Sequence, residues 1–463
     1  MTALTLADVA VGTGGRLHHV VDASVRVATL GTDSRAVEPG QLFVAVVGEH
    51  HDAHDFAAQA VRGGAVAVLA DRDLDVPCVV VDDTVLALGR LARWVVDRSP
   101  DLVVVGVTGS SGKTSTKDLM AAVLVELGPV VAPRGSFNTE VGVPLTALTV
   151  EPTTRVLVSE MGARGIGHIA YLCGVTPPRV GVVLNVGSAH VAEFGSRENI
   201  ARAKGELVEG LPDADLGGVA GLNADDPLVA EMSARTRASV VTYGRAGRAD
   251  VRAVEERLDA DGRASFSLVT PHGSAPVTLR LVGAHHVSNA LAVAATALAL
   301  GVPLGAVARR LSDAEPASRW RMEVTTTDEG VTVVNDAYNA NPESVLAALD
   351  ALVALGGGRR RTWAVLGEMR ELGAAAPAAH EEVGRQAAER GVTYVVAVGE
   401  GATGVARGAD GVGGGTVVTA VSDVDAAVTL LRERLEPGDV VLVKASRAAG
   451  LERVALALTE VTT

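Results

Sequence analysis

Residues 102–118, LVVVGVTGSSGKTSTKD, restrict the fold of this chain more than any other stretch. An apolar, β-branched strand runs into Gly109-Ser110-Ser111-Gly112, and a helix can begin at Lys113-Thr114-Ser115. With little side-chain bulk in the turn, successive backbone N–H groups can point inward at an anion, and the helix N-terminus adds its partial positive charge. Lys113 would reach the terminal phosphates of a bound nucleotide, and Thr114 would offer its hydroxyl to Mg²⁺. The usual spacing asks for Gly five residues before Gly112, where this chain has Val107, flanked by Gly106 and Gly109. A tight turn with an incidental lysine is the blander explanation, but strand, turn and helix signals occur here in the order a phosphate cradle needs.

At 463 residues the chain is expected to form three domains, given an ordinary domain size of about 100–200 residues. Apolar residues make up 48% of it, mostly Ala and Val, and aromatics only 3%, which favours parallel sheets packed by Ala-rich helices. The expected class is therefore α/β: a small N-terminal α/β domain over 1–100, a central P-loop ATPase-like domain with a mostly parallel sheet over 101–314, and a C-terminal Rossmann-like domain over 315–463. A formal net charge of -14 and the lack of a basic run with interleaved aromatics argue against a nucleic-acid partner. Cys78 and Cys173 are too few for a disulfide framework, so a reducing compartment is expected. No basic n-region followed by an apolar h-region opens the chain, which points to the cytoplasm. Residues 290–308 are uncharged, but Gly301 and Pro303 stop the helix expected from Ser288 after about 20 Å, too short for a bilayer of roughly 30 Å. A buried core helix is expected there, and no membrane span.

From Phe43 the strands FVAVVG, AVAVLA and CVVVDD alternate with helical stretches at 55–63 and 84–97. Ser34 and Arg35, before the first of them, are candidates to hold a phosphate or carboxylate, with an exposed polar turn as the even alternative. His54 reads as a satisfied surface histidine. The polar loop after the cradle helix can place Asn138 and Thr139 beside a ligand. RVLVSE then ends a buried strand in Glu160, where parallel sheets receive ligands, so Glu160 is a Mg²⁺-ligand candidate. RVGVVLNV delivers Asn185 and His190 to the same edge, and the helix from Arg197 carries Lys204 and Glu206; alone, Lys204 reads as a solvated helix charge. Residues 250–282 alternate as an antiparallel addition. Asn289 fits a helix cap or the edge of an adenine. The last domain restarts with VTVV and Asn341-Pro342, good N-cap and N1 residues, without G-x-G-x-x-G after its first strand.

Taken together, Val107 to Thr114, Glu160-Met161-Gly162-Ala163, Asn185 through His190, Ala203-Lys204-Gly205-Glu206 and Asp336-Ala337-Tyr338-Asn339-Ala340-Asn341-Pro342 closely resemble the Mur ligases. The resemblance spans all three domains. It implies an ATP-dependent ligase that activates a carboxylate as an acyl phosphate and joins it to an amine, releasing ADP and phosphate. Ser136-Phe137-Asn138-Thr139, Leu366-Gly367-Glu368-Met369 and Lys444-Ala445-Ser446-Arg447 point to the member that adds D-alanyl-D-alanine to UDP-N-acetylmuramoyl-tripeptide in peptidoglycan synthesis, a step behind cell wall, shape and division. The sister enzyme that adds the third amino acid usually carries Asp-Asn-Pro-Arg, which this chain lacks. A nucleotide-binding module that does not ligate is the alternative from another class; it has no need of His190, Lys204 and a third domain.

By the same resemblance, Gly109 to Ser115, Asn289, Arg319 or Arg321, Asp336 and Asn339 would surround ATP, with Asp336 suited to ribose hydroxyls. Thr114 and Glu160 would hold one Mg²⁺. His190, and Lys204 if carbamylated, would support a second. Ser34 and Arg35 would hold the UDP-sugar, Asn138 and Thr139 would face the substrate, and Lys113, Glu160, His190 and Lys204 would carry the catalysis. A monomer is expected.

Overall fold

The computed structural model describes residues 4–48, 51–133, 135–187 and 191–460, and His190 therefore lies outside the described residues. Three main sheets follow one another along the chain. The first has five strands, in the order Arg16–His18, Cys78–Val80, Ala67–Ala70, Gln41–Val44 and Thr29–Gly31. Its three read strands are present, and the helices fall at Ala57–Arg62 and Thr84–Asp97, the latter capped by Asp83, whose side chain accepts from the Leu86 N–H at 2.9 Å. The two further strands, before Phe43, are three residues each, too short to show a period.

The central sheet has nine strands: Gly273–Val282, Arg263–Thr270, Val251–Leu258, Ser239–Gly244, Val219–Asn223, Val180–Val183, Val103–Thr108, Val156–Glu160 and Val130–Val131. The last seven are parallel, and the first two extend them antiparallel, as the alternation over 250–282 requires. The cradle strand Val103–Thr108 lies between Val156–Glu160 and Val180–Val183, with Glu160 opposite Val107 and Val183 opposite Thr108. Those carboxyl ends are therefore level at one edge. The Ala-rich helix His285–Ala299 packs against the cradle helix Lys113–Leu124. It begins three residues before Ser288, with Ala284 at its N-cap, because the chain turns at Gly283 with φ of 113°. Ser288 and Asn289 thus lie inside the helix and cap nothing. Among the described residues no helix is long and apolar enough to cross a membrane.

The third sheet has six strands, in the order Glu323–Thr326, Thr332–Asn335, Val440–Lys444, Thr362–Leu366, Tyr394–Val398 and Val417–Val421, with only the first antiparallel. Asn341 caps Pro342–Gly356 as read, accepting from the Ser344 N–H at 2.9 Å. The start of the strand Val440–Lys444 is fixed by buried Asp439, which accepts from Arg361 at 2.8 and 2.7 Å, Trp363 Nε1 at 2.9 Å and the Glu436 N–H at 3.0 Å. Burial pushes the Asp439 carboxyl up, but these donors, led by Arg361, outweigh it and hold its pKa below the usual value.

Replacing Asp439 with Asn is expected to cost about 2 kcal/mol of stability at pH 7. Because the folded-state pKa is depressed, the wild-type advantage is present above the unfolded value of about 4 and shrinks as pH falls below it. Urea midpoints of both proteins across that range check the expectation.

Candidate functional site

The carboxyl edges of the central and third sheets face each other across a cleft of about 780 Å³. The phosphate cradle forms its floor. Gly112 caps the cradle helix at φ of 80°, and a Cβ there would lie 2.8 Å from Asn289 Oδ1, so only glycine suits the position. Val107, the departure from the usual spacing, is a buried strand residue paired with Glu160, two residues before the turn begins at Gly109. Asn185 splints the loop. Its Oδ1 accepts from the Ser111 N–H at 2.9 Å, its Nδ2 donates to Ser111 O at 3.2 Å, and its carbonyl accepts from the Ser110 N–H at 3.1 Å. Ser110 Oγ in turn accepts from the Gly187 N–H at 2.9 Å.

Lys113 curls back so that Nζ donates to Gly109 O at 2.7 Å. Burial lowers its pKa, Glu160 and Glu371 oppose that shift, and Arg321 adds to it. Thr114 Oγ1 lies 2.7 Å from Ser136 Oγ and donates to Glu160 Oε1 at 3.4 Å, while Asn138 Nδ2 donates to the same Oε1 at 2.7 Å. Glu160 Oε2 is buried with no hydrogen-bond partner among the described residues. An orphaned carboxylate oxygen beside a threonine hydroxyl, at a phosphate cradle, is a donor set that fits a hard cation. No cluster of three His, Cys, Asp or Glu side chains able to hold a metal occurs among the described residues, so the remaining ligands of such a cation would be phosphate oxygens and water.

Lys204 is not the solvated helix charge its local pattern suggests. It is 4% exposed, lines the cleft and has no partner among the described residues. Burial, and then the charge of Lys113, push its pKa well below the usual value, favouring the neutral amine. Glu206, from the same helix, turns away and accepts from the Gly167 and Ala170 N–H groups at 2.6 and 3.0 Å.

The third sheet supplies the opposite wall. Arg321, rather than Arg319, enters the cleft: its Nη2 donates to Thr114 Oγ1 at 3.1 Å and Ser136 Oγ at 3.0 Å, and its guanidinium lies 4.1 Å over the Tyr338 ring. Arg319 is exposed and does not line the cleft. Positive φ at Trp320 and Met322, 59° and 52°, sets that direction, and no periodicity announces such a turn. Asp336 lines the cleft but already accepts from Lys444 Nζ at 2.5 Å and the Met322 N–H at 3.1 Å. Asn339 also lines it, its carbonyl accepting from Lys444 at 3.0 Å and its Oδ1 from the Ala340 N–H at 2.9 Å. Asn289 Nδ2 lies 3.4 Å from His286 Nδ1, and burial keeps both His286 and the neighbouring His285 neutral, the latter at about 4. Ser115 and Thr139 line the cleft too, Thr139 Oγ1 accepting from the Gly142 N–H at 3.3 Å.

The first sheet's candidates lie elsewhere. Ser34 and Arg35 are not among the cleft residues, and Arg35 is exposed, paired with Asp33 at 2.9 and 2.8 Å. His54 is buried rather than on the surface, between Asp52 at 2.6 Å and Asp71 at 3.1 Å. Sequence reasoning missed Ser136 and Lys444 as site residues, although both stand in strings that carried the resemblance.

Family profiles match three consecutive parts of the chain: the Mur ligase family catalytic domain over 26–96, the Mur ligase middle domain over 107–297 and the Mur ligase glutamate ligase domain over 320–447. The chain belongs to the Mur ligase family. Among relatives in this family, the UDP-N-acetylmuramoyl-tripeptide–D-alanyl-D-alanine ligase of Mycobacterium tuberculosis is 46% identical over 99% of this chain and 98% of its own. A crystal structure of MurF from Acinetobacter baumannii superimposes with a TM-score of 0.89 at 33% identity, covering 100% of both chains. MurF ligase from Thermotoga maritima, solved in complex with ADP, gives 0.80 at 31% identity over 92% of this chain and 96% of the other.

In this Mur ligase the Asn185 side chain braces the cradle loop. Asn185→Ala is expected to weaken ADP binding about 10-fold by removing the three side-chain bonds to Ser111. Titration calorimetry checks this, with a melting temperature within a few degrees of wild type showing that the fold persists.

Proposed function

We propose that this Mur ligase joins D-alanyl-D-alanine to UDP-N-acetylmuramoyl-tripeptide at the expense of ATP, forming ADP and phosphate, in peptidoglycan precursor synthesis. End-to-end likeness to ligases of that name is the observation that carries the reading. The cleft supplies the chemistry such a reaction needs. First, a terminal carboxylate oxygen of the tripeptide bonds to the γ-phosphorus and the bond to the β-phosphate oxygen breaks, releasing ADP. The amine nitrogen then bonds to the acyl carbon, the tetrahedral intermediate collapses, phosphate leaves, and the amine loses a proton.

Two anions must meet in the first step, so fixed positive charge and alignment dominate what the protein contributes. Backbone N–H groups of Gly109 to Ser115 and the Lys113 ammonium hold the phosphates, with Arg321 exchanging Thr114 and Ser136 for a phosphate oxygen. Thr114 and Glu160 would hold a Mg²⁺, which screens charge between nucleotide and carboxylate when bound. Asn138 keeps Glu160 turned toward that position. Carbamylation of Lys204 would place an anion beside a second Mg²⁺ that His190 helps to hold; the buried, neutral-leaning amine supports this, because only a neutral amine adds CO₂.

Asn289, Asp336 and Asn339 are assigned to the nucleotide. The first domain, residues 1–100, takes the UDP-sugar through Ser34 and Arg35, 101–314 performs the phosphoryl transfer, and 315–463 contributes to nucleotide and D-alanyl-D-alanine. Dependence on ATP and a nucleotide-linked sugar supports a cytoplasmic location.

ADP release is expected only when ATP, the tripeptide substrate and D-alanyl-D-alanine are all present. Strict turnover with a free diamino acid and UDP-muramoyl dipeptide would instead assign the sister reaction. Lys204→Ala is expected to lower turnover at least 100-fold while changing ATP affinity less than about 3-fold, the pattern of a group acting in the transition state. Wild-type turnover from that variant would remove Lys204 from the mechanism. A ¹³C carbamate resonance after incubation of the wild type with labelled bicarbonate, absent from the variant, tests the modification itself.

A further inference from the structure

The splint of the cradle is itself held from outside. Beyond Val180–Val183 the central sheet continues into Val219–Asn223 and then Ser239–Gly244, with Asn223 opposite Tyr243 where those two strands end. Three side chains from these outer exits reach back to the segment on which Asn185 stands. The Tyr243 hydroxyl donates to Val183 O at 2.8 Å, Asn223 Nδ2 donates to Leu184 O at 2.8 Å, and Asp226 Oδ2 accepts from the Val186 N–H at 2.7 Å. Asn223 lines the cleft, whereas Asp226 and Tyr243 are not among its lining residues. Burial, and then Asp226 and Asp225, hold the Tyr243 phenol well above its usual range, so the hydroxyl stays a donor.

Asp226 divides its carboxylate between two tasks. Oδ1 caps the short helix Pro227–Ala230, accepting from the Leu228 and Val229 N–H groups at 3.0 and 3.3 Å, and Oδ2 is left for Val186. The N–H of Val186 and the carbonyl of Asn185 belong to one peptide unit, which is planar, so fixing one end fixes the other. That carbonyl accepts from the Ser110 N–H at 3.1 Å, and the Asn185 side chain, carried on the same backbone, is bonded to Ser111. A carboxylate outside the cleft thus holds the peptide that holds the cradle. Arg197 Nη2 adds to the clamp by donating to Val186 O at 2.8 Å. A segment tied in this way has little freedom to tilt, and backbone N–H groups aimed at phosphate lose their value when they tilt.

We propose that Asp226, with Tyr243 in support, is a positioning residue for the phosphates of the nucleotide, acting through Asn185 on Ser110 and Ser111. The proposal rests on nucleotide binding at the cradle and not on which amine the enzyme joins. Its consequence is sensitivity at a distance: side chains that do not line the cleft alter the affinity for what binds there. Because both act through Asn185, their effect is bounded by what Asn185 contributes. Loss of one such bond is worth about 3- to 10-fold in affinity. Most of that loss should vanish once the Asn185 side chain is gone.

The test is a double-mutant cycle on the full-length protein, read as ADP affinity by titration calorimetry. Asp226→Ser keeps a side-chain cap for the helix Pro227–Ala230 but is too short to reach Val186 as well. It is expected to weaken ADP binding about 3- to 10-fold in the wild-type background and no more than about 2-fold in Asn185→Ala, with a melting temperature within a few degrees of its parent. Tyr243→Phe removes one hydroxyl from a buried ring and should follow the same pattern at about 2- to 5-fold; it decides the matter if Asp226→Ser does not fold. A merely structural role lowers the melting temperature without that dependence on Asn185. Unchanged ADP affinity in the single variants, or the same weakening in both backgrounds, overturns the proposal and leaves the ligase function standing. A wild type that binds no ADP overturns nucleotide binding at the cradle as well.

Discussion

Level alignment of three parallel strands is the constraint on which the site depends. Glu160 pairs with Val107 and Val183 with Thr108, so the chain leaves the sheet at nearly the same height three times in a row. One exit becomes the cradle, the next delivers Glu160, and the third delivers Asn185, which braces the cradle from the side. A slip of one residue in Val156–Glu160 would turn Glu160 to the opposite face of the sheet, and one in Val180–Val183 would leave the loop without its splint. Cradle, carboxylate and brace are thus one consequence of register, and the buried Val-rich strands that enforce it are part of the site in the energetic sense.

The second consequence is electrostatic. Although the chain carries a formal net charge of -14, Lys113, Arg321 and Lys444 converge on one cleft beside the neutral-leaning Lys204. Burial lowers the pKa of all three lysines, and Lys444 is matched directly by a carboxylate, at Asp336. Cations held in a poorly solvated place are costly without counter-charge, and an ATP molecule with its phosphates supplies it. The surrounding acidic surface does not cancel this effect, because a charge more than about 8–10 Å away through water is largely screened, whereas the cleft charges act at close range. Local concentration of positive charge, rather than the overall balance, decides what the cleft attracts.

Legibility followed length scale. Apolar runs exposed the cradle strand and its two neighbours, and turn chemistry at Gly109 to Gly112 and at Asn341-Pro342 marked where helices begin. Lys204 was not legible from its own helix: the burial that makes it unusual comes from residues remote in sequence, and only the joint pattern of motifs pointed to it. Arg321 and Arg319 are indistinguishable in the string SRWRM, because the choice is made by backbone turns at Trp320 and Met322 that leave no compositional trace. Asn289 illustrates the reverse case. Its residue type suits a cap, yet the turn at Gly283 starts the helix earlier and carries Asn289 into contact with Gly112.

Neither sheet alone makes a complete site. The central sheet carries the glycine-rich cradle and the Glu160 carboxylate, but the Arg321 guanidinium that reaches Thr114 and Ser136 enters from the segment leading into the third sheet. Asn341, at the cap of the first helix of that last domain, likewise reaches Ser110 O at 3.5 Å. These contacts at the cleft are polar, whereas apolar packing between the two domains lies away from it, where Val282 joins the core of the last domain with Ala351 and Leu355. An acyl phosphate must be shielded from water yet the substrates must enter, and a cleft closed by exchangeable hydrogen bonds satisfies both demands. Phosphate oxygens arriving at the cradle compete directly for the Arg321 donors now spent on Thr114 and Ser136. In the proposed reaction, nucleotide binding and closure of the wall would in this way be the same event at one guanidinium.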